Sequence, residues 1–187
     1  MSQGPLLWFL NRGSGLVLLA LLTVVTAMGV WSLRARAGGR VPGFVSQSVH
    51  RNLALMSVAL LVGHVAAAVA DEYVDIRWWQ AFVPWRLAYR PTWLALGTVA
   101  LDLVVVVVVT SLLRDRLGRR AWRAVHLTTY AAWACGLVHG LGIGTDSGEP
   151  WARWIYLGSA VVVLAALVFR PRRSADLGAA QVEVPAR

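Results

Sequence analysis

Lysine is absent from the chain: all 18 of its basic residues are arginine. Acidic residues number only 9, and charged residues make up 14% of the 187 positions against 58% hydrophobic. So little charge excludes an ordinary soluble domain of this size and makes an integral membrane protein the leading class. A single cysteine, Cys135, excludes an intrachain disulfide, a CxxC redox pair and covalent cofactor attachment through CxxCH. No G-x-G-x-x-G follows a strand pattern and no P-loop occurs, so nothing resembles a soluble nucleotide-binding domain.

What the sequence has instead is long apolar runs. Crossing the hydrocarbon core takes about 20 apolar residues. Five stretches qualify, at roughly 15–33, 49–70, 93–113, 121–142 and 151–169. The first lacks a basic leader and is followed by Arg34 and Arg36, so it reads as a span rather than a cleaved signal. The expected fold is all-α, an integral membrane helical bundle of about five transmembrane helices. A short interfacial lead (1–14) precedes it, the bundle occupies 15–170, and a weakly patterned tail, 171–187, reads as cytoplasmic and disordered.

Arginine placement sets the expected orientation. Arg34, Arg36, Arg40 and Arg51 lie around the first connection; Arg114, Arg116, Arg119, Arg120 and Arg123 around the third; Arg170, Arg172 and Arg173 after the last span. All fall on one side, which the positive-inside rule makes cytoplasmic, with the amino terminus outside and the carboxyl terminus inside. The localisation expected is a cell membrane, multi-pass. Topology and anionic membrane lipid also account for the net charge of +9, so no nucleic-acid partner is expected. The connection 71–92 carries Trp78, Trp79, Trp85, Tyr89 and, just beyond it, Trp93, which suit the headgroup region of the outer surface.

The four histidines fall in pairs that bracket apolar runs: His50 with His64, and His126 with His139. In the expected topology both runs cross from inside to outside, so His50 and His126 share an inner level, His64 and His139 an outer one. At about 1.5 Å rise per residue the two steps are roughly 21 and 20 Å, matched within about one residue. Zinc or copper would need three or four converging ligands. A haem asks the protein only for two axial nitrogens, so one bis-histidine haem per level is the economical reading. A histidine-based proton or ion path remains the alternative.

The angles are less tidy. Fourteen residues at about 100° each return His64 to within roughly 40° of His50, whereas thirteen leave His139 about 140° from His126. A kink or bulge near Gly136 is expected to take up the difference. Gly63, Gly136 and Gly140 leave room beside the ligands. Arg51 and Arg123 at the inner level, and Arg77, Arg86 or Arg90 at the outer, are candidates for haem propionates, lipid phosphate being the other claim on each. Cys135 reads as a packing residue. Asp102, near the middle of the third span, needs a partner such as Thr98 or a histidine N–H, or else carries protons.

The spacing of these histidines, together with WRAVHLTTYAAW, HGLGIGTD and YRPTWLALGTVALDL, resembles the ferric reductase-like transmembrane domain family over roughly residues 15–169. That family includes the haem-binding membrane domains of ferric reductases and NADPH oxidases, and the chain looks most like its stand-alone bacterial members. The resemblance implies two b-type haems, an inner one on His50 and His126 and an outer one on His64 and His139. It implies a transmembrane b-type cytochrome, an electron-transfer component of the oxidoreductase class. Electrons would pass from a separate cytoplasmic flavin reductase to an outer-face acceptor or redox partner protein. A flavin is seen in some relatives but is assigned to no residue here. The alternatives are a structural or assembly subunit of a membrane redox complex and the proton pathway above.

Overall fold

Proline marks where helices begin. Its ring fixes φ and removes an N–H that the first turn of a helix leaves unpaired anyway. The computed structural model describes residues 4–35, 42–71, 76–84 and 89–169. In it α1 (Gly4–Ala35) has Pro5 as its second residue, and Pro42 caps α2 (Gly43–Ala70). Both α3 (Pro91–Leu112) and α6 (Pro150–Val168) start on a proline, while α4 (Arg114–His126) and α5 (Thr129–Ile143) lie between them. A single 3-10 turn, Trp78–Ala81, sits in the α2–α3 connection. The described residues contain no strand.

Among the described residues four helices are long and apolar enough to cross a membrane: Leu6–Trp31 within α1, then α2, α3 and α6. This is compatible with a multi-pass membrane protein. The outward faces suit lipid contact, with Leu55, Met56, Val62, Val161 and Leu164 all exposed. Residues 4–14, expected as a separate lead, are the opening turns of α1 and run straight into the apolar segment. The expected tail, 171–187, lies outside the described residues.

The expected span 121–142 is two helices. The break falls at Leu127 and Thr128, not at Gly136, which is helical mid-α5. Its cause is local. Thr128 Oγ1 donates to the Val125 carbonyl at 2.7 Å and Thr129 Oγ1 to the His126 carbonyl at 2.8 Å. The backbone tightens there into i→i−3 bonds, Thr128 N to Val125 O at 2.9 Å and Tyr130 N to Leu127 O at 3.2 Å. Hydroxyls that bond back onto the helix compete with its regular ladder, and 3-10 turns follow. Each residue in such a turn rotates about 120° rather than 100°, which takes up part of the angle the thirteen-residue step lacks. Alone, α5 is about 22 Å long, short of the hydrocarbon thickness.

Helix α1 is the hub. It packs against α2, α5 and α6, while α3 packs on α5 and α4. Small residues allow the close approach: Ala152 and Ala166 of α6 are 0% and 1% exposed, and Val30 of α1 is 1%. Leu19, Trp133, Tyr156 and Val163 complete this core, and Trp133 Nε1 donates to Thr23 Oγ1 at 2.9 Å to tie α5 to α1. Absent from the extensive contacts is any between α2 and α5. The two helices that carry His64 and His139 stand apart, and a cavity lies between them.

Candidate cofactor site

The cavity has a volume of about 700 Å³, inside the range of small-molecule and cofactor sites. Leucines of α1, Leu61 and Val65 of α2, and Leu94, Leu101 and Val104 of α3 make most of its wall apolar. Both His64 and His139 line it, with Gly15, Gly97, Gly136 and Gly140 widening it. Of the glycines singled out from sequence, Gly136 and Gly140 open onto this space, whereas Gly63 does not border it.

The hydrogen bonds of the two imidazoles define their proton positions. His64 Nδ1 lies 3.0 Å from the Asn11 carbonyl, with Ser14 Oγ at 3.1 Å. His139 Nδ1 lies 2.8 Å from the Trp93 carbonyl. A carbonyl oxygen only accepts, so each Nδ1 must carry the proton, and the neutral ring keeps its lone pair on Nε2. Neither Nε2 forms a hydrogen bond among the described residues. Metal-ligating histidines show this arrangement, in which the distal N–H bonds a carbonyl and the other nitrogen is left to the metal.

At the other level the His50 and His126 rings lie edge to face, centroids 6.3 Å apart and planes at 62°. Two opposed metal–nitrogen bonds of about 2.0–2.1 Å, with roughly 1.1 Å from each bonded nitrogen to its ring centre, place two centroids about 6 Å apart. The observed centroid separation is close to that value. Trp122 stacks on His126 at 4.8 Å and 28°. Both Nδ1 atoms here are buried without a hydrogen-bond partner; the Val25 backbone faces His50 outside hydrogen-bonding geometry. The His50 and His126 rings are thus neighbours, while His64 and His139 line one cavity. Among the described residues no three of His, Cys, Asp and Glu cluster as metal ligands, so the donor set is one of paired imidazoles. That set fits a group needing only axial ligands.

The arginines are arranged differently from the sequence expectation. Arg51 and Arg123 are exposed, and Arg77 is exposed and absent from the cavity wall, its backbone N–H donating to Gln80 Oε1 at 2.8 Å. Arg86 lies outside the described residues. Arg90, held at φ 39°, donates from Nη1 to the Gly142 carbonyl at 2.8 Å and so ties the start of α3 to the end of α5. The arginine that does line the cavity is Arg12, ion-paired with Asp146 and stacked 4.4 Å over Trp8. Sequence reasoning passed over it because residues 1–14 read as a lead; its neighbours Asn11 and Ser14, which reach His64, were passed over for the same reason.

Ile76, Gln80 and Ala81 of the α2–α3 connection, together with Tyr89, border the same cavity, while Trp78 is 73% exposed. Cys135 and Asp102 do not border it. Asp102 is half-buried, and Thr98 donates to the Leu94 carbonyl at 3.4 Å rather than to the carboxylate.

No solved structure matches the chain. A family described as a domain of unknown function (DUF8596) matches residues 6–146, a stretch that runs from the first turns of α1 to the end of α5 and contains all four histidines. By that match, over three quarters of its length, the chain belongs to the DUF8596 family.

Proposed function

We propose that the chain is a transmembrane b-type dihaem cytochrome that carries electrons across a cell membrane. In this reading the donor is a separate cytoplasmic flavin reductase and the acceptor an outer-face partner. One observation carries the reading. His64 and His139 line one apolar cavity with both Nδ1 protons committed to backbone carbonyls, so both Nε2 lone pairs are available to a shared ligand. The 6.3 Å approach of His50 and His126 supplies a second pair at the other level.

Haem at each level would supply one-electron redox chemistry, and two axial imidazoles would leave its iron no open position. The residues of the chain hold and shield. His50 with His126, and His64 with His139, would hold the haem. The leucines and valines of α1, α2 and α3 keep water from the outer pair. Arg12, at the same cavity, is the cation best placed for a carboxylate of the bound group. With the last turn of α4 and α5 forming one crossing, the proposed bundle has five spans, and the arginines of α4 mark its cytoplasmic side. The amino terminus is then outside and the carboxyl terminus inside.

The proton-pathway alternative draws no support from Asp102, which stands off the cavity. The deciding experiment is the dithionite-reduced absorption spectrum of purified, haem-replete protein with haem quantification. Six-coordinate b-type bands at about two haems per chain are expected. A preparation with no Soret band rejects the proposal.

A further inference from the structure

Two of the four histidines bond a neighbouring helix in the same way, and His50 sits in the same register without the bond. His64 bonds the carbonyl of Asn11, and its ring lies over Gly15, four residues further along α1. A Cβ at Gly15 would stand 3.1 Å from His64 Cε1. His139 bonds the carbonyl of Trp93, and its ring lies over Gly97, again four residues further along, where a Cβ would stand 2.6 Å from both Cε1 and Nδ1. His50 repeats the register one level down. Its Cε1 would be 3.7 Å from a Cβ at Gly29, and the backbone it faces is that of Val25, four residues before.

The spacing of four has a physical reason. In a helix the carbonyl of residue i accepts from the N–H of residue i+4 and retains a second lone pair. Side chains lean toward the helix amino terminus, so the one at i+4 lies over that carbonyl. Glycine at i+4 uncovers it, and an imidazole from the next helix can reach it. The α1–α2 and α3–α5 pairs are built on this one template.

The fourth histidine, His126, makes no such bond, and neither does His50. Fourteen residues after Trp93 and Gly97 come Val107 and Ser111. The Val107 carbonyl takes a bond from Thr110 Oγ1 at 3.2 Å, and Ser111 Oγ accepts from Trp122 Nε1 at 3.3 Å. His126 Nδ1 is left without a partner.

We infer that Gly15 and Gly97 are the positioning residues of the outer site: each uncovers one carbonyl that fixes its histidine as the Nδ1–H tautomer and leaves Nε2 for the ligand. The inference rests on the proposed cofactor reading only for what that ligand is. It is tested on full-length, haem-free protein in lipid nanodiscs, labelled with ¹⁵N-histidine, by two-bond proton–nitrogen correlation, which distinguishes the two tautomers. His64 and His139 should both be protonated on Nδ1. Gly97→Ala should move His139 alone toward the Nε2–H tautomer, and Gly15→Ala should do so for His64. Gly13→Ala and Gly158→Ala, where a Cβ meets nothing within 4 Å, should leave all signals in place. Reconstituted with haem, Gly97→Ala should fall from two haems per chain to one.

An unchanged His139 tautomer in Gly97→Ala overturns the inference, even if wild-type protein binds two haems. If that variant does not fold, Gly15→Ala decides, since its Cβ makes the milder approach. Tautomers that shift as stated in a protein that never binds haem uphold the role of the glycines and reject the cofactor reading instead.

Discussion

The two-level arrangement makes a stoichiometric prediction that does not depend on knowing the donor or acceptor. In the proposed dihaem reading each level is held by two imidazoles, one from α2 and one from the α4–α5 rail, so replacing either by alanine removes half of the protein's bonds to that group. Loss of even a residue that only supports a metal ligand costs about 10–100-fold in affinity, and loss of the ligand itself should exceed this. At micromolar protein the affected level should then purify empty. His50→Ala, His64→Ala, His126→Ala and His139→Ala should each carry one haem per chain. The informative variants are the doubles. His64→Ala with His139→Ala removes both ligands of one level and should still carry one haem, with no further loss. His50→Ala combined with His64→Ala takes one ligand from each level and should carry none. Haem is measured by pyridine haemochrome against protein concentration, with size-exclusion elution as the check on folding. A same-level double that loses both haems, or a cross-level double that keeps one, refutes the pairing on which the 6.3 Å inner approach and the shared outer cavity converge.

Other consequences can be checked separately. Trp122→Ala removes the ring stacked on His126 and should weaken the inner haem by about tenfold without touching the outer one, read from haem retention during dialysis. Thr128→Val with Thr129→Val deletes both hydroxyl bonds at the α4–α5 break, so His126 should rotate away from His50 and the inner haem band should be lost selectively. Trp133→Phe keeps the aromatic volume but loses the bond to Thr23, and should lower stability by about 0.6–1.5 kcal/mol in a detergent unfolding titration. Arg12→Ala and Asp146→Ala should show a coupling of about 1 kcal/mol or less in a double-mutant cycle, and coupling indistinguishable from zero would mean the ion pair does not tie α1 to the α5–α6 turn.

Much of the frame is legible in the sequence because its causes are local. Prolines mark the starts of α1, α2, α3 and α6, apolar runs mark their lengths, and the even placement of four histidines marks two levels. What escaped reading depends on contacts between distant residues or on competition within one turn. The bend was expected at Gly136 because glycine weakens a helix. The hydroxyls of Thr128 and Thr129 bend it instead, and the missing side chain of Gly136 opens onto the cavity. Arg12 sat in a stretch read as a lead, and Arg77 looked better placed by sequence distance alone. The meaning of Gly15 appears only when His64, across 53 residues from Asn11, is seen to reach the carbonyl that Gly15 uncovers.

The separation of α2 from α5 also bears on how such a chain would be made. Each histidine pair draws one member from the first hairpin and one from the second, which emerges later during synthesis. Neither hairpin alone can grip anything between two imidazoles. In the proposed reading, ligand capture is thereby a coincidence test, passed only when both halves have inserted and docked through α1 and α5. A misinserted second half would leave the first with two half-sites and no grip, a state that quality control could recognise by the absence of bound cofactor.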